Sequence, residues 1–201
     1  SSLEVVSLIS RRTGMRVQSI IRIPPPLSSE STIWNILSSY GGEWMWGQVE
    51  NDLQDTHRVN ILLSCLLNKS LVCVSDGSFN PENPDICGIG WILGNESTPI
   101  FSDSFVEKSN SASSYKAELL GILALLSLLN ATAEYFNIED WSCTIWCDNK
   151  GALSICDHIT TRVSPNSRCA DILRAIRSIK MKSSGRVILS HVRGDMDDES
   201  H

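Results

Sequence analysis

The chain has 201 residues, 42% of them hydrophobic, which suits one domain, or one domain with an appendage, built on a real core. Its formal net charge of −6 argues against a generic nucleic-acid binder, and no apolar run reaches the length of a membrane-spanning helix. The opening "SSLEVVSLISRR" puts apolar before basic residues, the reverse of a secretory signal, so no targeting signal is read, and an intracellular protein of the cytoplasm or nucleus is expected.

In chain order, "PPPLSSES" (24–31) reads as an extended linker. Residues 31–48 predict a short helix capped near Ser31, a break at Gly41 and Gly42, and a tryptophan-rich segment. Trp34, Trp44 and Trp46 are read as packing residues. A helix is expected over 53–70, ending near Asn68. From residue 71 the pattern is strand 71–75, strand 86–93, strand 98–106, a long helix 109–136, strand 142–147, helix 149–159, helix 164–182 and strand 185–192. This order predicts an α/β fold: a mixed sheet with three antiparallel strands first and parallel strands added through helical crossovers. Seven cysteines without a CxxC pair, several inside apolar runs, predict reduced and mostly buried thiols rather than zinc or disulfides.

Three carboxylates stand out against ordinary alternatives. Asp76 follows "LVCVS", where Asp-Gly also signals a tight turn. The prolines of "NPENPD" (80–85) argue for a loop instead, with Asp76 at a strand end. Glu118 is the only charge between Ala117 and Ala133, and a lone charge on a packed helix needs a partner. Gly121, one turn on, leaves room for a strand to approach. Asp148 closes the strand "TIWC" and could instead cap the helix that follows. If both strands are parallel neighbours, Asp76 and Asp148 emerge at one sheet edge, where α/β sheets place their sites. Three carboxylates together need cations, and hard oxygen donors suit Mg²⁺ or Mn²⁺.

Charge is unevenly spread. Residues 1–70 are neutral, 71–161 carry net −9, 162–194 net +7 and 195–201 net −4. An acidic region beside a basic one suits a metal-dependent enzyme acting on a polyanion; a helix with a solvated basic face explains the basic segment equally well.

The pieces "SDGSF" (75–79), "SSYKAELLGILAL" (113–125), "WCDNKGAL" (146–153) and "SHVRGDMDD" (190–198), in this order, resemble the ribonuclease H family over residues 71–201. They look most like the ribonuclease H domains of reverse-transcribing mobile elements, and residues 1–70 look like the partly helical connection segment before such a domain. The resemblance implies a five-stranded mixed sheet flanked by helices and hydrolysis of the RNA strand of an RNA–DNA hybrid with two divalent ions. It implies metal binding by Asp76, Glu118 and Asp148; the family's fourth carboxylate lies further on, and Asp197 or Asp198, of which Asp198 is the one assigned, would have to substitute for it. Ser78, Ser114 and Lys116 match positions on the nucleic-acid backbone, and Arg174, Arg177 and Lys180 lie on the expected basic handle. Implied partners are the hybrid and the rest of a reverse transcriptase polyprotein, with no membrane.

Two departures accompany the match. Asp195 stands where the family usually has a histidine, and the chain reaches His201 without the family's C-terminal helix. A catalytically impaired domain kept as a structural or nucleic-acid-binding appendage is therefore the alternative. A DNA-cutting relative of the same fold is a further one.

Overall fold

The computed structural model describes residues 3–9, 16–22, 32–96, 98–159 and 162–193. The expected linker over 24–31 lies outside them. Two runs that were not expected as strands, β1 (Leu3–Ile9) and β2 (Arg16–Arg22), pair antiparallel. Helix α1 (Ile33–Ser39) is capped by Thr32 rather than Ser31, its hydroxyl accepting from the Asn35 N–H. The chain breaks at Gly41 and Gly42, both at positive φ, and makes a 3-10 turn at Glu43–Met45. Short α2 (Val49–Asp52) leads into α3 (Thr56–Leu67), whose N-terminus is capped by Asp55. Trp34 and Trp46 pack on the core as expected; Trp44 is 55% exposed, its ring edge-on to Phe105.

Five strands form the main sheet in the order β5-β4-β3-β6-β7: β3 (Leu71–Phe79), β4 (Ile86–Gly94), β5 (Pro99–Lys108), β6 (Ser142–Cys147) and β7 (Arg186–His191). Pairs β3–β4 and β4–β5 are antiparallel, and β3–β6 and β6–β7 are parallel. This is the expected ribonuclease H-like sheet.

Helix α4 (Ser114–Tyr135) packs on β3 and β4, beside α1 and α6 (Ala170–Lys182). At 22 residues it is long and apolar enough by composition to cross a membrane, which corrects the reading that no run is; 83% of its most apolar window is buried inside the fold, as in a core helix. Residues from α1 to α3 (Leu37, Leu62, Leu66) share one core with sheet and α4 residues such as Leu93 and Leu125. All seven cysteines are free, six of them buried.

Three expected boundaries shift for local reasons. Strand β3 runs four residues beyond Ser75 and pairs with β4 as far as Phe79–Cys87, so Asp76 lies inside a strand rather than at its end. The long helix begins at Ser114, because Ser113 caps the Lys116 N–H while Ser109 and Ser111 are drawn to the Lys116 ammonium. Helix α6 begins at Ala170, because Ser164–Ser167 form a turn with Pro165 at its second position and Cys169 takes a left-handed conformation.

Candidate metal centre

The site is built where α4 crosses β3. Gly77 lies so near this helix that a Cβ there would sit 2.7 Å from the Ala117 Cβ, and a Cβ on Gly121 would run into Ser75. Two glycines thus let helix and strand meet closely, and Glu118, fully buried, reaches β3. Its Oε1 accepts the Gly77 N–H at 2.7 Å, and its Oε2 accepts the Ser75 hydroxyl at 3.1 Å. A third donor comes from the next strand: the Cys147 thiol lies 3.1 Å from Oε2.

Strand β6 ends at Cys147, and Asp148 follows it, exposed. Helix α5 (Lys150–Asp157) is capped by Asn149, whose Oδ1 accepts the Ala152 N–H at 2.9 Å. The capping alternative for Asp148 is thereby excluded, and its carboxylate lies beside that of Glu118 instead. Its backbone carbonyl lies 3.1 Å from the His191 Nε2 on β7. Donor atoms of Glu118, Cys147 and Asp148 all lie within 4.8 Å of one another.

Burial pushes the Glu118 carboxyl up to about 7; the Cys147 thiol and the Gly77 N–H pull it back, and the neighbouring Asp148 adds to the rise. Burial first, then the Glu118 and Asp148 charges, raise the Cys147 thiol. It therefore stays protonated and serves as a donor to Glu118 rather than as a thiolate ligand. The two carboxylates supply the hard oxygen donors that fit a divalent cation.

Asp76 is not one of these three. Val74 pairs with Trp146, and that register, continued for two residues, sets Asp76 level with Asp148. It is exposed. Asp198 lies outside the described residues.

The expected backbone contacts fall into two groups. Ser78 and Ser114 are exposed at the end of β3 and the start of α4. Lys116 is turned inward instead, its Nζ 2.7 Å from Glu107 Oε1, 2.9 Å from Ser109 Oγ and 3.0 Å from Ser111 Oγ. On α6, Arg174 is exposed and Arg177 half-buried, while Lys180 donates to the Cys156 carbonyl at 2.6 Å. Ser75, Cys147 and His191 were not singled out from the sequence. Cys147 was visible as the buried-face residue just before Asp148; nothing local marked the other two.

No family model and no curated protein matches the sequence. Among solved structures, the chain is similar to RNase H1 from the halophilic archaeon Halobacterium salinarum NRC-1, at 17% identity over 61% of this chain and 85% of that one, with a TM-score of 0.44. LC11-RNase H1, isolated from compost by a metagenomic approach and solved in complex with RNA/DNA hybrid, is 15% identical over 65% of this chain and 90% of its own, with a TM-score of 0.46. The RNase H domain of prototype foamy virus is 12% identical over 66% and 84%, with a TM-score of 0.46. At such identities the likeness is one of fold.

Proposed function

We propose that this chain is a metal-dependent endonuclease that hydrolyses the RNA strand of RNA–DNA hybrids, as part of a reverse-transcribing element. The observation that carries the reading is Glu118, fully buried, held by Gly77 and Ser75, and set beside Asp148 at the carboxyl end of β6. Burying a carboxylate next to a second one costs stability unless a cation joins them. The "DGS", "AEL" and "CDN" motifs around these residues support the choice of substrate.

Glu118 and Asp148 would hold the metal, Mg²⁺ or Mn²⁺, with Asp76 on the adjacent strand and Asp198 of the tail as further ligands to a pair of ions. When bound, such ions activate water and stabilise the departing oxygen. The chain's own residues do the rest. Gly77, Ser75 and Cys147 fix the orientation of Glu118 before any ligand arrives, which is preorganisation. Exposed Ser78 and Ser114, with the arginines of α6, supply contacts to the sugar-phosphate backbone. The hybrid and the remainder of a reverse transcriptase polyprotein are the partners, in an intracellular setting.

A second reading, a domain that binds hybrid without cutting it, is favoured by one observation: Asp76 lies outside the group formed by Glu118, Cys147 and Asp148. Cleavage of a labelled RNA–DNA hybrid in Mg²⁺ and in Mn²⁺ separates the two. Feeble cutting is expected, better in Mn²⁺, which tolerates an imperfect ligand set, and lost in Asp148→Asn. Binding without cutting in either metal would establish the second reading. Cutting of DNA duplex in preference to hybrid would identify a DNA-cutting relative.

A further inference from the structure

The basic segment does not form a uniform surface. Arg168 lies over the Tyr115 ring at 5.0 Å, and Lys180 is spent on the Cys156 carbonyl. Arg162, Arg174 and Arg177 behave differently: together with Val163 and Pro165 they line one cavity of about 400 Å³. Arg174 and Arg177 are three positions apart on α6, hence on one face of it, and Arg162 comes from the segment ahead. No carboxylate of the described residues lines the cavity. None of the three guanidinium groups has an ion-pair or hydrogen-bond partner among the described residues. The Arg177 Nε is buried with no acceptor there.

Three like charges lining one cavity without a counter-charge among the described residues are unfavourable, and a buried donor left unpaired adds to the cost. Apolar walls from Val163 and Pro165 strengthen whatever electrostatic interaction the cavity makes. The planar fork of arginine suits oxyanions in bidentate geometry. The volume is at the small-ligand end of binding pockets.

We infer that this pocket takes a single phosphate group of a nucleic-acid backbone, a docking point made by residues other than the carboxylate cluster. The choice of nucleic acid as the source of the phosphate rests on the proposed function; the phosphate chemistry does not.

The test uses the full chain in two arms. In the first, inorganic phosphate is titrated while the arginine Nε–Hε signals are followed by NMR, with chloride as the ionic-strength control. The Arg177 signal shifts with phosphate alone; the response is lost in Arg162→Gln and persists in Arg186→Gln, while in Arg177→Lys, which keeps the charge without the fork, the Arg174 signal responds more weakly than in the parent. In the second arm, hybrid binding is measured against salt with divalent ions chelated. The triple variant Arg162→Gln, Arg174→Gln, Arg177→Gln lowers the log–log salt slope by about 0.9, the value for one phosphate.

An Arg177 signal indifferent to phosphate overturns the proposal. So does a slope change of about 2.7, which would mean three independent contacts. A phosphate response with unchanged hybrid binding overturns the nucleic-acid assignment and leaves a small phosphorylated ligand. The nuclease reading fails separately: hybrid cutting by a chain whose triple variant binds hybrid equally well removes the pocket's nucleic-acid role alone, and pocket-dependent hybrid binding without cutting removes the nuclease alone.

Discussion

Lys116 and Glu118 lie two residues apart on the same helix, both charged and both buried, yet they have opposite surroundings. Lys116 meets a carboxylate and two hydroxyls, and its side chain and that of Glu107 are only 11% and 14% exposed. Glu118 also has three donors, but it faces a second carboxylate, Asp148. The first arrangement is complete and anchors the start of α4 to β5. The second is complete only in geometry, because its charge has no counter-charge among the described residues. A buried ionisable residue points to a ligand when its neighbours satisfy its shape and not its charge.

The comparison breaks most visibly at Glu107. Glu107→Gln removes the counter-charge of Lys116 and should cost about 4 kcal/mol in chemical denaturation, as breaking a buried pair does. A loss below about 1 kcal/mol would mean that the serines alone satisfy the ammonium.

Glu118→Gln should act in the opposite direction. The Glu118 carboxyl rises from 4.5 when unfolded to about 7 in the fold, so the native state holds its proton more tightly. Its stability is greatest relative to the variant below pH 4.5 and is lost as pH rises to about 7. In chelator, Glu118→Gln should therefore be more stable than the parent by up to about 3 kcal/mol above pH 7, with the gap closing toward pH 4.5. Parallel stability curves across this range would show that Asp148 and burial do not disfavour the Glu118 charge. Hydrolysis, where present in the parent, should vanish in the variant.

The smallest effect is expected at Gly77. A methyl group there meets the Ala117 Cβ at 2.7 Å and Glu118 Oε1 at 3.1 Å, forcing α4 away from β3. Gly77→Ala should cost about 2 kcal/mol, a usual overpacking penalty, and should lower hydrolysis much further than stability. Equal losses in both would leave Glu118 without a special position.

The order of elements was legible in the sequence, because hydrophobic periodicity and glycine or proline breaks are local signals. So was the choice of Glu118: a lone charge in the apolar stretch 117–133 has to be accounted for by a partner. The space left by Gly121 was also foreseen, and it receives Ser75. What the sequence left open was decided by contacts between distant segments. Whether Asp76 sits in a turn or a strand depended on β4 pairing through to Phe79. Whether Asp148 caps a helix depended on Asn149 taking that role. Lys116, on α4, turned inward because Glu107, on β5, came within reach. The basic residues of the segment separated into a pocket of arginines and two individually engaged neighbours, Arg168 and Lys180, only when Arg162 was folded against α6. Periodicity reports which face of an element is buried; which polar atoms meet there is set by the register and close approach of elements far apart in the chain.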